Sequence, residues 1–307
     1  MIEVHGLTKR YGDRVAVDHI DFTLEPGQVT GFLGPNGAGK STTMRMIVGL
    51  TPPTEGSVTI DGWRYGELRS PLTTVGALLD AKAVHPGRTA YQHLLSVAAT
   101  HGLPKGRVHE VIELTGLESV ANKRVKGFSL GMGQRLGIAS ALIGDPRVLI
   151  FDEPVNGLDP EGVRWVREFS RFLASEGRTV FLSSHLMSEV ALTADRVIVI
   201  GKGRILADAP VADLVAGAGA QAVRVRTARA GELAELLART GATVASDDPG
   251  VLVITGLGIE QIAQQAAASG IVLLELTPVT TSLEEAYMAI TDGAVEYRTA
   301  SPAGVAR

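Results

Sequence analysis

The chain reads as an α/β protein built on a parallel sheet, followed by a smaller α+β domain. Three observations carry that expectation. Residues 34–42 spell G-P-N-G-A-G-K-S-T, a glycine-rich phosphate-binding loop set between a short apolar strand and a helix. From residue 147 to residue 200, strand-length apolar runs alternate with helical spacing, the rhythm of parallel strands crossed by helices. Beyond an Ala/Gly-rich stretch at 215–220 the pattern resumes in the order β-α-β-β-α-β, compatible with a ferredoxin-like split unit.

Residues 1–80 are β-rich: 2–5, 18–24 and 57–60 alternate apolar and polar side chains between glycine turns. Within that region 28–33 reads as a short buried strand, and 42–50 as a helix stopped by Pro52 and Pro53. Residues 86–145 are helical, with apolar spacing that predicts helices over 89–100, 105–115 and 133–143. Strands then follow at 148–151, 179–182 and 196–200, separated by helices at 163–175 and 186–194. Residues 215–220 are expected to be a linker, which places domains at 1–218 and 219–293. The second domain is read as strands 222–227, 242–246, 251–255 and 271–276, with helices 231–240, 259–269 and 282–291. Ser282 opens the last helix, with early carboxylates facing its dipole. Residues 294–307 are weakly patterned and expected to fray.

Composition narrows the chemistry. The chain has no cysteine, which removes disulfides, thiolate metal sites and cysteine nucleophiles together. A formal net charge of -4 argues against wholesale coating of nucleic acid. With 45% hydrophobic residues a membrane span must be considered, but each apolar run is strand-length and bounded by charge or glycine. The first residues lack the basic and apolar regions of a signal peptide, so the expected place of work is the cytoplasm.

The loop needs company before it can hydrolyse anything. Its backbone N–H groups and the adjoining helix N-terminus make an anion nest, in which Lys40 would reach the β- and γ-phosphates and Ser41 would hold Mg²⁺. The apolar run 148–151 delivers Asp152 and Glu153 at a strand's C-terminal end, where parallel sheets place ligands. Asp152 suits the metal's water shell, and Glu153 suits a general base for the attacking water. Ser129 and Gly131 precede a helix, which is an anion-binding arrangement in its own right.

Taken in order, the phosphate loop, the segment Ser129 to Arg135, Asp152-Glu-Pro, Gly157-Leu-Asp and Ser184-His resemble the ATP-binding cassette (ABC) ATPases. The likeness covers roughly residues 1–215, and the chain looks like the separate nucleotide-binding subunit of an ABC-2-type, drug-export-like transporter. The resemblance implies a P-loop NTPase of ABC type, with a RecA-like core, an N-terminal antiparallel β subdomain and a helical subdomain. It implies that Gly34, Pro35, Asn36, Gly37, Ala38, Gly39, Lys40, Ser41 and Thr42 bind ATP, with Tyr11 stacked on adenine and Val17 beside the nucleoside. By the same likeness, Ser129 and Gly131 touch the γ-phosphate held by an opposite protomer, His185 contacts the γ-phosphate, and Asp159 communicates across the dimer. The implied partners are a second copy or a homologous ATPase subunit and an integral-membrane permease, at the cytoplasmic face of the plasma membrane. No nucleic-acid partner is expected.

Two positions depart from the family pattern. Leu130 and Met132 replace a glycine and a glutamine of the signature, although the serine and second glycine remain. Asp80 stands where a glutamine is usual, and a carboxylate there can ligate Mg²⁺ but, when ionised, cannot donate a hydrogen bond. Asp80 is therefore a candidate metal-sensing residue. The alternative reading is a soluble ABC ATPase acting on ribosomes or DNA, disfavoured by a single cassette with no coiled-coil heptads or basic arm. A GTPase is disfavoured because Asn122-Lys123 continues as Arg-Val, without the aspartate that guanine reading requires. The C-terminal unit resembles the accessory domain of some drug-export ATPases.

Overall fold

The computed structural model describes residues 1–80, 83–217, 222–279 and 282–291. Two compact units divide the chain between Pro210 and Val211. In the first, β1 (Ile2–Tyr11) and β2 (Arg14–Leu24) form a long antiparallel hairpin, followed by β3 (Val29–Leu33), α1 (Lys40–Ile47) and β4 (Glu55–Ile60). The short α2 (Pro71–Thr74) leads into β5 (Val75–Leu78), and then come α3 (Ala90–Thr100), α4 (Lys105–Leu114) and α5 (Leu130–Leu142). The unit continues with β6 (Val148–Phe151), α6 (Pro160–Ser175), β7 (Thr179–Ser184), α7 (Met187–Thr193), β8 (Arg196–Gly201) and β9 (Arg204–Pro210).

Among the described residues these strands make two sheets. One is antiparallel, in the order β2-β1-β4; the other has six strands in the order β5-β6-β7-β3-β8-β9, parallel except for β9. The central strands are apolar on both faces because both are covered, by helices such as α6 and α7 and by the antiparallel sheet: every residue of β3, β6 and β7 is buried. Phe22 from the antiparallel sheet meets Phe32 and Phe181 of the central one, with ring centroids 6.0 and 5.9 Å away, and Phe32 and Phe181 lie 5.2 Å apart. This aromatic trio cements the two sheets.

Helix α5 approaches β5 so closely that a Cβ on Gly76 would collide with the carbonyl of Ala141. A side chain on Gly137 would likewise meet Leu78 Cδ1 at 2.5 Å. Only glycine lets backbone approach backbone in this way. The contact ties the helical region to the strand beside β6.

The second unit contains α8 (Val211–Gly217), β10 (Ala222–Arg226), α9 (Ala230–Ala238), β11 (Thr243–Asp248), β12 (Val251–Thr255), α10 (Ile259–Ala268) and β13 (Glu275–Val279). Helix α11 (Leu283–Thr291) follows. Its sheet is antiparallel in the order β11-β12-β10-β13, the strand order of a ferredoxin-like fold. Val223, Val225 and Ile254 from the sheet pack with Leu233, Leu237 and Ile262 from α9 and α10.

Several elements differ from the sequence expectation. The segment 75–78 is a strand, too short and glycine-bearing to announce itself. Residues 204–210, unassigned from sequence, are the antiparallel edge strand β9. Helix α6 starts at Pro160 because Asp159 caps it, accepting the Gly162 N–H at 2.9 Å, and α5 starts at Leu130 under the Ser129 cap. The strand expected at 271–276 lies at Glu275–Val279, where Pro278 is tolerated because β13 is an edge. Residues 215–217 of the expected linker end α8; the rest of it and the tail 294–307 lie outside the described residues.

Phe181 is fully buried at the sheet junction, so Phe181→Ala should destabilise the protein by about 3–5 kcal/mol in urea unfolding. His93, partly buried on α3, shares a 3.1 Å hydrogen bond with the Ser140 hydroxyl, while its Nδ1 is buried without a partner. Burial, aided by the Arg88 charge, pushes this imidazole below its ordinary value. The unfolded chain therefore takes up the proton first, and stability should fall as pH drops through about 6.5. His93→Gln should flatten that part of the stability–pH curve.

Candidate active site

Strand β3 carries the chain into the glycine loop, and the loop's shape is set by what crowds it. A Cβ on Gly34 would strike the Ile200 carbonyl, and one on Gly39 would lie 2.7 Å from the Ala16 carbonyl. Gly39 also holds φ at 113°, in the left-handed region that favours glycine, just before α1 begins at Lys40. The α1 N-terminus thus faces the loop with unpaired backbone donors.

Lys40 is 6% exposed and folds back over the loop. Its ammonium donates to the Gly34 carbonyl at 2.6 Å and to the Pro35 carbonyl at 3.4 Å, and lies 3.6 Å from a Glu153 carboxylate oxygen. A cleft of about 500 Å³ opens here, lined by Tyr11, Arg14 and Ala16 of the β1–β2 hairpin, by Pro35, Asn36, Gly37, Gly39, Lys40, Ser41 and Thr42, and by Glu153. Tyr11 is half-exposed, and the Lys9 ammonium sits 5.1 Å from its ring centroid.

The carboxylates arrive from β6. Ser183, on neighbouring β7, donates its hydroxyl to Asp152 Oδ1 at 2.6 Å and accepts the Glu153 N–H at 2.9 Å. Glu153 has φ 50°, a strained backbone for a residue with a side chain, and its carbonyl accepts from Gln134 Nε2 of α5 at 3.3 Å. One carboxylate oxygen faces Lys40, and the other is 2.8 Å from His185 Nδ1, just beyond β7. A carboxylate is therefore held at the mouth of an anion nest between Lys40 and His185, with its backbone fixed by Ser183 and Gln134.

Not every expected residue gathers here. Gly34 and Ala38 shape the loop from beneath without lining the cleft. Val17 was expected beside the nucleoside, but its side chain is wholly buried in the core and Ala16 lines the cleft instead. Asp80 is exposed two residues after β5 and lies away from the cleft lining, although Asp152 N donates to the Leu78 carbonyl at 2.8 Å on that same edge. Ser129 caps α5, accepting the Met132 N–H at 3.2 Å, and with Gly131 lies outside this cleft. Sequence reasoning missed Arg14, Ala16, Gln134 and Ser183. Three of them had a nearby signal: Gln134 lies within the segment Ser129 to Arg135, Ala16 is next to Val17, and Ser183 is next to the Ser184-His185 pair.

Ser41 and Asp152 offer oxygen donors of the hard kind that Mg²⁺ prefers. Among the described residues no group of three or more His, Asp or Glu side chains could cage a metal. That donor set suits Mg²⁺, which is usually bound by one or two protein ligands together with phosphates and water.

Comparison with known proteins places this geometry. Residues 17–156 match the family model described as ABC transporter, and residues 221–284 match a domain of unknown function. The bacitracin transport ATP-binding protein BcrA of Bacillus licheniformis is 41% identical over 213 residues, covering 68% of this chain and 70% of that protein. The lantibiotic transport ATP-binding protein SrtF of Streptococcus pyogenes is 37% identical over 206 residues, 67% of this chain and 89% of the relative. A solved ATP-binding subunit of an ABC transporter superimposes with a TM-score of 0.64 at 26% identity, over 70% of this chain and 91% of that one. A dimeric bacterial ABC cassette, at 24% identity and a TM-score of 0.63 over 69% and 99%, shares the fold. On these similarities this chain belongs to the ATP-binding proteins of ABC transporters.

Proposed function

We propose that the chain is the ATP-hydrolysing motor subunit of an export-type ABC transporter, driving a separate membrane permease from the cytoplasmic face of the plasma membrane. The observation that carries this reading is Glu153, fixed between Lys40 and His185 where the phosphate loop opens. In this reading Tyr11 stacks on adenine, which any aromatic face can do, and the loop's N–H groups wrap the phosphates. Lys40 then exchanges the Gly34 carbonyl for phosphate oxygens. Glu153 accepts the proton of the attacking water as its oxygen bonds the γ-phosphorus; the bond from that phosphorus to the β,γ-bridging oxygen breaks, ADP leaves with the electron pair, and His185 orients Glu153 and the terminal phosphate. Ser41 and Asp152 would hold Mg²⁺, which when bound neutralises charge developing on the phosphates.

The end of α5 carrying Ser129 and Gly131 serves the nucleotide of a second subunit, so two domains close over two ATP molecules. Closure and reopening drive the permease, a population shift supplied by differential ATP binding. Among the described residues no helix is long and apolar enough to cross a membrane, consistent with a membrane path formed by another chain. Relatives named for bacitracin transport, lantibiotic transport and linearmycin resistance favour a lipophilic or drug-like cargo.

Glu153→Gln should cut phosphate release at least about 10²-fold and accumulate an ATP-bound dimer in size-exclusion chromatography. Parental turnover in that variant would remove Glu153 as the base. Ser183→Ala removes the hydroxyl that holds the Asp152 carboxylate and the Glu153 N–H, and should lower kcat about tenfold, one hydrogen bond to a charged group, while titrated ATP affinity stays near the parent.

A further inference from the structure

We infer that Arg14 is a second cation for the nucleotide's polyphosphate, acting alongside Lys40; this rests on the nucleotide reading of the same cleft. In the β1–β2 hairpin Arg14 pairs in register with Tyr11 across a two-residue turn, and both line the cleft. Directly opposed residues of an antiparallel pair point to one face, so the aromatic side chain and the guanidinium project together. The guanidinium reaches the phosphate loop: Arg14 Nη2 lies 3.8 Å from where a Cβ on Gly37 would be. Gly37, with φ 83°, sits at the middle of the loop.

The two cations of the cleft are differently employed. Lys40 is already bound by two carbonyls and by Glu153, whose other oxygen meets His185. Among the described residues no hydrogen bond or ion pair engages the Arg14 guanidinium. An uncommitted guanidinium beside an anion nest has neither a partner to give up nor a buried charge to desolvate. Its planar fork can meet two phosphate oxygens at once, which an ammonium cannot match.

Adenosine is neutral, so an electrostatic role for Arg14 must grow with the number of phosphates. A role confined to holding the hairpin, and Tyr11 with it, would weaken every adenine nucleotide by the same factor. Binding of ATP, ADP and AMP to the full chain, by titration calorimetry, separates the two. Arg14→Met, which keeps the stem and removes the charge, should lose about tenfold for ATP, less for ADP and nearly nothing for AMP, with an unchanged melting temperature. Arg14→Lys should recover part of the ATP loss, and the loss should shrink at high salt. Tyr11→Ala should weaken all three alike. Equal losses for the three nucleotides in Arg14→Met, or none, would overturn the inference. Failure of the parent chain to bind ATP at all would instead overturn the nucleotide reading, and the inference with it.

Discussion

In the central sheet Leu33 lies beside Ser184 and Phe151 beside Leu182, so three neighbouring parallel strands run out at nearly one level. The phosphate loop leaves β3, Asp152 and Glu153 leave β6, and His185 leaves β7. A parallel sheet makes this convergence possible because all of its strands end on the same side. The chemistry depends on that register more than on any single side chain. Were β6 to slip by one residue against β7, the Ser183 hydroxyl could no longer meet both Asp152 and the Glu153 N–H. The buried, two-sided apolar strands and the Phe22–Phe32–Phe181 cluster keep the register from slipping.

Charge in the cleft is compensated within the protein. Lys40 is almost fully buried, and a lone ammonium there would be strongly penalised, so it turns to the Gly34 carbonyl and Glu153. A triphosphate entering the loop must offer Lys40 more than those partners do. It also brings negative charge toward Glu153, which raises the importance of every cation near the loop. Lys40 offsets that repulsion from the protein's side, and an uncommitted Arg14 guanidinium at Gly37 would offset it from the nucleotide's side.

What could be seen in the sequence was local. The glycine loop, the paired carboxylates after an apolar strand and the Ser-His step each lie within about ten residues, so spacing exposes them. Strand 148–151 was legible to the residue because four apolar, mostly β-favouring positions between Pro146-Arg147 and a carboxylate pair are too few for a helix. Ser183 was not legible, because its role arises only when β6 and β7 become neighbours. The exchange of Val17 for Ala16 has a similar cause: the β1–β2 ladder shifts register between Leu7 and Lys9 and again between Lys9 and Arg10. Each such irregularity can turn a side chain to the other face, so a position carried over from the family likeness need not keep its facing here. In the second unit, residues 271–276 are apolar enough to suggest a strand, yet Val272 and Leu274 are exposed and pairing begins only at Glu275.

The end of α5 poses a different question. Leu130 is 46% exposed, and its side chain lies over Gly157, where a Cβ would collide with it. Gly131 in turn faces Leu158, whose neighbour Asp159 caps α6. The segments carrying Ser129 and Asp159 are thus packed as one surface, and neither lines the cleft formed by the same chain's phosphate loop. Under the proposed dimer this joint surface meets the partner's nucleotide, and a large side chain at position 130 replaces a glycine where the two would come together. Leu130 already fills the space over Gly157, so the substitution extends the α5–α6 packing rather than leaving an apolar side chain without contacts. A signature with leucine in place of glycine is therefore compatible with the same closed arrangement, provided that the Ser129 hydroxyl can leave the Met132 N–H for phosphate when the two copies meet.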